Sequence, residues 1–440
     1  YICQTSHISK RNLSIYDILL YLIYDLFTFS YCMKVFLVQI KTYKIYDVST
    51  KSVFEKEALL HLANNPNYDF FLLPRALGVP ARVMIQPQDQ PEFESFLVKS
   101  GINYSVVNSN VGDSVQLERI QNNFQRSALS RSSLISFNSF QRFDGINNYL
   151  NVLAKNYPNR AFVKNVGKSY EGRSLNTITI TNGDGRSNKK VVFVDAGIHA
   201  REWIAPAGAL YIIHQLVENY AANAHLLKDY DWVVLPVVNP DGYEYTHTKS
   251  RMWRKTRKPV TAMCAGTDGN RNFDFHWGEV GASSLSCADT FKGESAFSEP
   301  ETRVVRDIMH SLSGRAKFYL TMHSYGNYLL YPWGYTSALP NTWQDIDDIA
   351  QAGAKAIRSA TGTKYTVGSS TNVLYAAAGG SDDYAYAKAN IPIAITMELS
   401  AGGSGFNPSP AQIRPFVEET WIGVKAMAEA PSSIRKSAHI

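Results

Sequence analysis

Val191-Val-Phe-Val-Asp195-Ala-Gly-Ile-His199-Ala-Arg201-Glu202-Trp203 is the stretch on which the reading of this 440-residue chain turns. Its first half is a run of apolar residues without polar alternation, the pattern of a strand covered on both faces. Residues 232–238, 318–323 and 391–398 repeat that pattern. Amphipathic segments at 205–221, 299–312, 343–361 and 411–430 read as the helices between and after them. Buried strands alternating with helices predict an α/β domain, a mixed, mostly parallel central sheet flanked by helices. Ligands of such sheets collect at the C-terminal ends of the strands.

Chemistry-bearing residues sit at those ends. His199 and Glu202, three apart just past a strand, offer an imidazole and a carboxylate, both good Zn²⁺ ligands. The bland alternative is a helix N-terminus with a surface glutamate. His323 ends another strand and would complete an open, catalytic His₂Glu site. Glu398 ends a further strand, where a carboxylate is costly without a partner or a task. Arg251-Met-Trp-Arg254 and Asn270-Arg271 add cationic donors in loops, whereas Lys255 and Arg257 read as solvated surface charges.

Six segments, His199-Ala-Arg-Glu, Arg251-Met-Trp-Arg, Asp268-Gly-Asn-Arg271, His323-Ser-Tyr325, Leu374-Tyr375-Ala-Ala-Ala-Gly-Gly-Ser-Asp-Asp383 and Glu398-Leu, together resemble the pancreatic carboxypeptidase A/B family of zinc metallopeptidases, in its order and at about its spacing. The resemblance covers about 132–431 and implies one Zn²⁺ held by His199, Glu202 and His323. It also implies Glu398 as the general base and Arg254 as the oxyanion partner. Asn270, Arg271 and Tyr375 would grip the substrate's terminal carboxylate, which suits a bidentate guanidinium. Arg201, Ser324 and Tyr325 would line the upstream subsites. Asp382 would stand at the base of the specificity pocket, with Gly334 and Ser370 leaving room for a long side chain. An acid there resembles the B-type enzymes that prefer C-terminal Lys or Arg; the alternative is an Asp382 facing solvent in an A-type pocket. The family also has a disulfide where Cys264 and Cys287 fall, although the residues alone leave open a bridge or two free thiols. One departure is Leu399-Ser-Ala-Gly-Gly403, where the family carries an Arg-Asp pair after its glutamate.

Upstream, residues 41–126 order as β-α-β-β-α-β, a small antiparallel sheet with two helices on one face. By the same resemblance this is an α+β, ferredoxin-like activation domain. Within it Asn103-Tyr-Ser is an N-glycosylation acceptor pattern. A polar, serine-rich linker at 127–131 follows, and a trypsin-like protease is expected to cut after Arg126 or Arg131. Residues 1–40 are apolar between 15 and 38 but interrupted by Asp17, Asp25 and Lys34, which argues against a membrane span. Met33-Lys-Val-Phe-Leu-Val looks like the opening of a secretion signal, so 1–40 reads as a signal remnant or a gene-prediction artefact. Residues 432–440 read as a tail.

A net charge of +6 without any dense basic run excludes a nucleic-acid footprint. The four cysteines include no CxxC, so a structural zinc site is not expected. The expectation is a secreted, monomeric zymogen. Its partners would be peptide substrates, the activating protease and proteinaceous carboxypeptidase inhibitors.

Overall fold

The structure, a computed structural model, describes residues 42–63, 65–127 and 134–430. The expected segment 1–40, Arg131 and the tail 432–440 lie outside them. The first unit runs β1 (Lys44–Ser49), α1 (Val53–Leu62), β2 (Tyr68–Leu72), β3 (Ala81–Ile85), α2 (Gln90–Lys99), β4 (Asn103–Asn108). Its strands pair antiparallel in the order β2-β3-β1-β4, as the sequence order predicts. Tyr46, Val48, Leu59, Phe93 and Leu97 are fully buried between sheet and helices. Ser52 caps α1 by accepting the Glu55 amide, one of the donors a helix start leaves orphaned.

The chain does not then pass straight into a linker. It forms α3 (Val111–Ser127), whose buried face is Val111, Val115, Glu118 and Asn122. Arg126, the expected last residue of the first unit, lies in the last turn of α3 and donates to Asn123 Oδ1 at 2.7 Å. The helix continues because its inner face has somewhere to pack: Val111 and Val115 join Ile45 and Met84 against Met252, Tyr325 and Phe406 of the second unit.

The second unit comprises α4 (Phe143–Asn156), β5 (Ala161–Lys168), β6 (Ser174–Ile180), β7 (Lys190–Ala196), α5 (Ile204–Val217), α6 (Tyr220–Asn223), β8 (Tyr230–Leu235), α7 (Pro240–Thr248), α8 (Pro300–Ser311), β9 (Ala316–Ser324), β10 (Tyr328–Tyr331), α9 (Trp343–Thr361), β11 (Thr366–Ser369), α10 (Ser370–Val373), α11 (Ser381–Ala387), β12 (Ile393–Leu399) and α12 (Pro410–Glu429). Its eight strands order β11-β10-β12-β9-β7-β8-β6-β5. The central β12-β9-β7-β8 block is parallel, and the antiparallel pairs lie toward the edges. Along β7, Val192 and Val194 pack into one layer while Val191 and Phe193 pack into the other, which is why no polar alternation was visible.

At the end of β7, Gly197 turns the chain with φ +69°. A Cβ there would lie 3.0 Å from Pro206 and 3.5 Å from the Val237 backbone, so the turn that delivers His199 requires glycine. No helix among the described residues is long and apolar enough to cross a membrane.

Candidate functional site

The parallel block brings three strand ends to one edge. His199 follows β7, His323 closes β9, and Glu398 stands opposite His323 in the β12–β9 register. His199 Nδ1 lies 2.8 Å from Glu202 Oε1, and His323 Nδ1 lies 3.1 Å from Glu202 Oε2. The two Nδ1 atoms face each other at 3.1 Å. Two imidazole lone pairs and a carboxylate converging on one point, all buried, form a donor set that fits Zn²⁺. His323 Nε2 is buried with no protein partner, so this ring is held from its Nδ1 side.

The outer shell comes from the motif at 268–271. His199 Nε2 pairs with Asp268 Oδ1 at 2.9 Å, the carboxylate–histidine arrangement that fixes a ligand's tautomer. Arg254 donates to the other oxygen of Asp268 at 2.9 and 3.2 Å. Burial opposes ionisation of Asp268, yet Arg254, His199 and Arg271 hold its carboxyl well below the usual range. One carboxylate therefore orients both a ligand and a guanidinium. Sequence reading quoted Asp268 without giving it a task; the only available signal was an acid two residues before a pair of cleft donors. Asp268→Asn is expected to weaken zinc affinity about 10- to 100-fold, measured by competition with a chromogenic chelator.

Burial opposes protonation of His323, but Glu202 raises its pKa to about 9. Burial pushes Glu398 up to about 8, with His323 pulling against it and Glu202 adding to it.

Arg201, Arg254, Arg271 and Tyr375 line one side of a cavity of about 610 Å³, and Tyr68, Phe70 and Phe71 close it from the first unit. Arg271 is aimed by Gly281 O at 2.9 Å, and Asn270 Oδ1 accepts the Ser381 amide at 2.9 Å. Ser324 N donates to Glu202 Oε2 at 3.1 Å. Tyr325 packs on Phe406 with centroids 5.0 Å apart.

Asp382 is 5% exposed, which removes the solvent-facing alternative. It accepts from Thr396 at 3.1 Å and Ser370 at 3.4 Å, and no cation pairs with it among the described residues. Its neighbour Asp383 is occupied by the amides of Gly334 (2.8 and 3.0 Å) and Tyr335 (3.2 Å). Thr396 was not singled out beforehand, since a threonine inside an apolar strand carries no signal.

Two loop cations differ from expectation. Lys255 is only 3% exposed and donates to Ser286 O at 2.8 Å. Arg257 stacks on Tyr245 at 3.7 Å and Trp253 at 4.4 Å. A half-buried carbonyl and two half-buried rings, invisible to spacing, hold them. Cys264 and Cys287 are disulfide-bonded, closing the loop that carries Asp268–Arg271.

The first unit touches this site directly. Asp69 Oδ2 of β2 pairs with Arg201 Nη1 at 2.7 Å, and Phe71 stacks edge-on to Phe406 at 4.9 Å. Glu118 of α3 takes Arg251 in two bonds of 2.6 and 3.1 Å, with both side chains buried. The Arg251 guanidinium also lies 3.7 Å over Trp203.

Residues 146–423 match the zinc carboxypeptidase family, and residues 46–118 match the carboxypeptidase activation peptide. The chain belongs to the zinc carboxypeptidase family. Carboxypeptidase B of Astacus astacus is 46% identical over 67% of this chain and 97% of that protein. Carboxypeptidase B of Helicoverpa zea is 40% identical over 87% and 92%. The crystal structure of carboxypeptidase A from Helicoverpa armigera superposes with a TM-score of 0.83 at 34% identity, over 89% of this chain and 99% of that one. Thrombin-activatable fibrinolysis inhibitor superposes at 0.80 with 29% identity, over 90% and 99%.

This zinc carboxypeptidase is a zymogen-type chain with its activation domain in place, and the reaction of the family is hydrolysis at the C-terminal end of peptides. The activation domain of the carboxypeptidase is held by the Arg251–Glu118 pair. Removing one partner of a buried ion pair costs about 3–5 kcal/mol. Glu118→Ala is therefore expected to loosen the uncut carboxypeptidase, read as a lower thermal midpoint and faster tryptic release of the activation domain.

Proposed function

We propose that the chain is the secreted precursor of a digestive, B-type carboxypeptidase that releases C-terminal Lys and Arg. The observation that carries this reading is Asp382, a buried carboxylate with hydroxyl neighbours and no cation. A buried acid without a counter-charge favours a cationic side chain and penalises an apolar one. Its two expected pocket companions, Gly334 and Ser370, lack bulk and would leave room for that side chain.

His199, Glu202 and His323 would hold the zinc. When bound, zinc acts as a Lewis acid and lowers the pKa of a coordinated water toward ~7. Glu398 takes the proton of the attacking water and returns it to the departing amine nitrogen. Arg254, tethered by Asp268, donates to the oxyanion as the carbonyl becomes tetrahedral. Asn270, Arg271 and Tyr375 bind the terminal carboxylate, which restricts cleavage to the last residue. Arg201, Ser324 and Tyr325 contact the residues upstream of the cut.

In the precursor Arg201 is already engaged by Asp69, and β2 roofs the cavity, so a long peptide cannot lie across the upstream subsites. A trypsin-like protease releases the roof by cutting after Arg126 or Arg131. Cleavage after Arg126 requires the last turn of α3 to unwind. A structural relative carries a tick carboxypeptidase inhibitor, and a proteinaceous inhibitor of that kind fits the opened cleft. Secretion is supported by the activation domain and the disulfide.

The test uses trypsin-treated protein and two peptides that differ only in a terminal Lys or Leu, with and without a zinc chelator. Chelator-sensitive release of Lys over Leu is expected. Preferred release of Leu sinks the basic specificity, and chelator-insensitive release sinks the zinc mechanism.

A further inference from the structure

We propose that Asn103 carries an N-linked oligosaccharide, so that the precursor is a glycoprotein on its activation domain. Asn103-Tyr-Ser105 is the one acceptor triplet of the N-x-Ser/Thr type among the described residues, with a middle residue other than proline. A triplet alone is weak evidence; its placement adds the argument. Asn103 opens β4, and all three residues are exposed with both domains in place. Among the described residues the Asn103 side chain takes part in no hydrogen bond or ion pair, which leaves its amide nitrogen available.

In the order β2-β3-β1-β4, among the described residues, β4 pairs only with β1, so one row of its backbone groups faces outward. It also presents apolar surface, with Tyr104 37%, Val106 43% and Val107 40% exposed. Edges of this kind are normally blunted by Lys, Pro or a covering segment. The strand Asn-Tyr-Ser-Val-Val-Asn contains neither residue. A bulky, hydrophilic glycan at its first residue covers this edge. The opposite end of β4, where Asn108 Nδ2 donates to Ser404 Oγ at 2.8 Å, is the end that touches the catalytic domain, so a glycan at Asn103 need not disturb that contact.

The modification rests on the secretion reading, because it requires a polyprenyl-diphosphate oligosaccharide and its transferase. In the transfer the bond from Asn103 Nδ2 to the anomeric carbon of N-acetylglucosamine forms. The anomeric carbon–oxygen bond breaks with its electron pair leaving on the diphosphate, and one Nδ2 proton passes to the transferase. Because Asn103 precedes Arg126 and Arg131, the sugar departs with the activation domain and the mature enzyme lacks it.

The full chain, expressed in insect cells behind a heterologous secretion leader, tests this. The supplied leader separates failure of modification from failure of native secretion. Protein from the medium is expected to gain mobility on treatment with an N-glycosidase. Asn103→Gln and Ser105→Ala should each lose the shift, and Ser105→Thr should keep it. After trypsin the shift should follow the activation fragment and leave the catalytic fragment unchanged. Wild-type protein that does not shift overturns the proposal. So does a shift that survives in both Asn103→Gln and Ser105→Ala, which would assign the sugar to Asn12-Leu-Ser14.

Discussion

Glu398→Gln is expected to lower kcat by about 10²–10⁴-fold, the range for loss of a positioned general base. KM for a Lys-terminated peptide should change little, because the proposed grip on the terminal carboxylate lies at Asn270, Arg271 and Tyr375. Zinc content should stay at one per chain, since Glu398 is not among the three converging donors. The pH profile gives an independent reading. A general base must be ionised, so activity is lost as pH falls through its pKa. In the zinc-free protein burial pushes that carboxyl to about 8, and a bound dication acts in the opposite sense. The acid limb of kcat/KM in the loaded enzyme is therefore expected below 8. A variant that loses its zinc, or a glutamine variant with near-normal kcat, would remove Glu398 from this role.

Under the proposed basic specificity, Asp382→Ile should reverse the preference. Truncating one partner of a buried charge pair costs ~2–5 kcal/mol, or about 30- to 5,000-fold in kcat/KM for Lys- and Arg-terminated peptides. Leu-terminated peptides should gain, because the variant pocket no longer penalises an apolar side chain. Ser370 and Thr396 surround the same carboxylate with hydroxyls only. Both donate to it, so they offset part of its desolvation and leave its charge uncompensated. Steady-state rates on matched Lys and Leu peptides decide the matter. Unchanged selectivity in the isoleucine variant would place the selector elsewhere.

The strands that carry the site were legible because each is an uninterrupted apolar run ending in a residue too polar for its place. Val191–Asp195 leading to His199, and 318–322 leading to His323, illustrate this. The six motif segments then supplied what periodicity could not. Asp69 and Glu118 remained silent because their partners lie far along the chain. Glu118 meets Arg251 across 133 residues, and Asp69 meets Arg201 across 132. α3 was missed for a related reason. Leu117, Ile120 and Phe124 lie on its exposed side while Glu118 and Asn122 lie on its buried side, so its polarity runs against the usual helical pattern. Only the arginine and the amide waiting on the catalytic domain, Arg251 and Phe140 N, make that inversion reasonable.

The contacts that roof the cleft do not depend on the peptide bond that activation cuts. Arg201–Asp69, Arg251–Glu118 and Phe71–Phe406 involve no atom of that bond, so they are expected to persist after the cut. What cleavage removes is tethering, and with it the effective concentration of the roof at its own site. Before the cut, occupancy is a property of one molecule and is indifferent to dilution. Afterwards it becomes a bimolecular equilibrium between enzyme and free fragment. Activity should therefore appear late in concentrated solution and promptly in dilute solution, even when the cut is complete in both. The precursor then behaves as a reservoir that stays quiet where it is stored at high density and opens on dispersal.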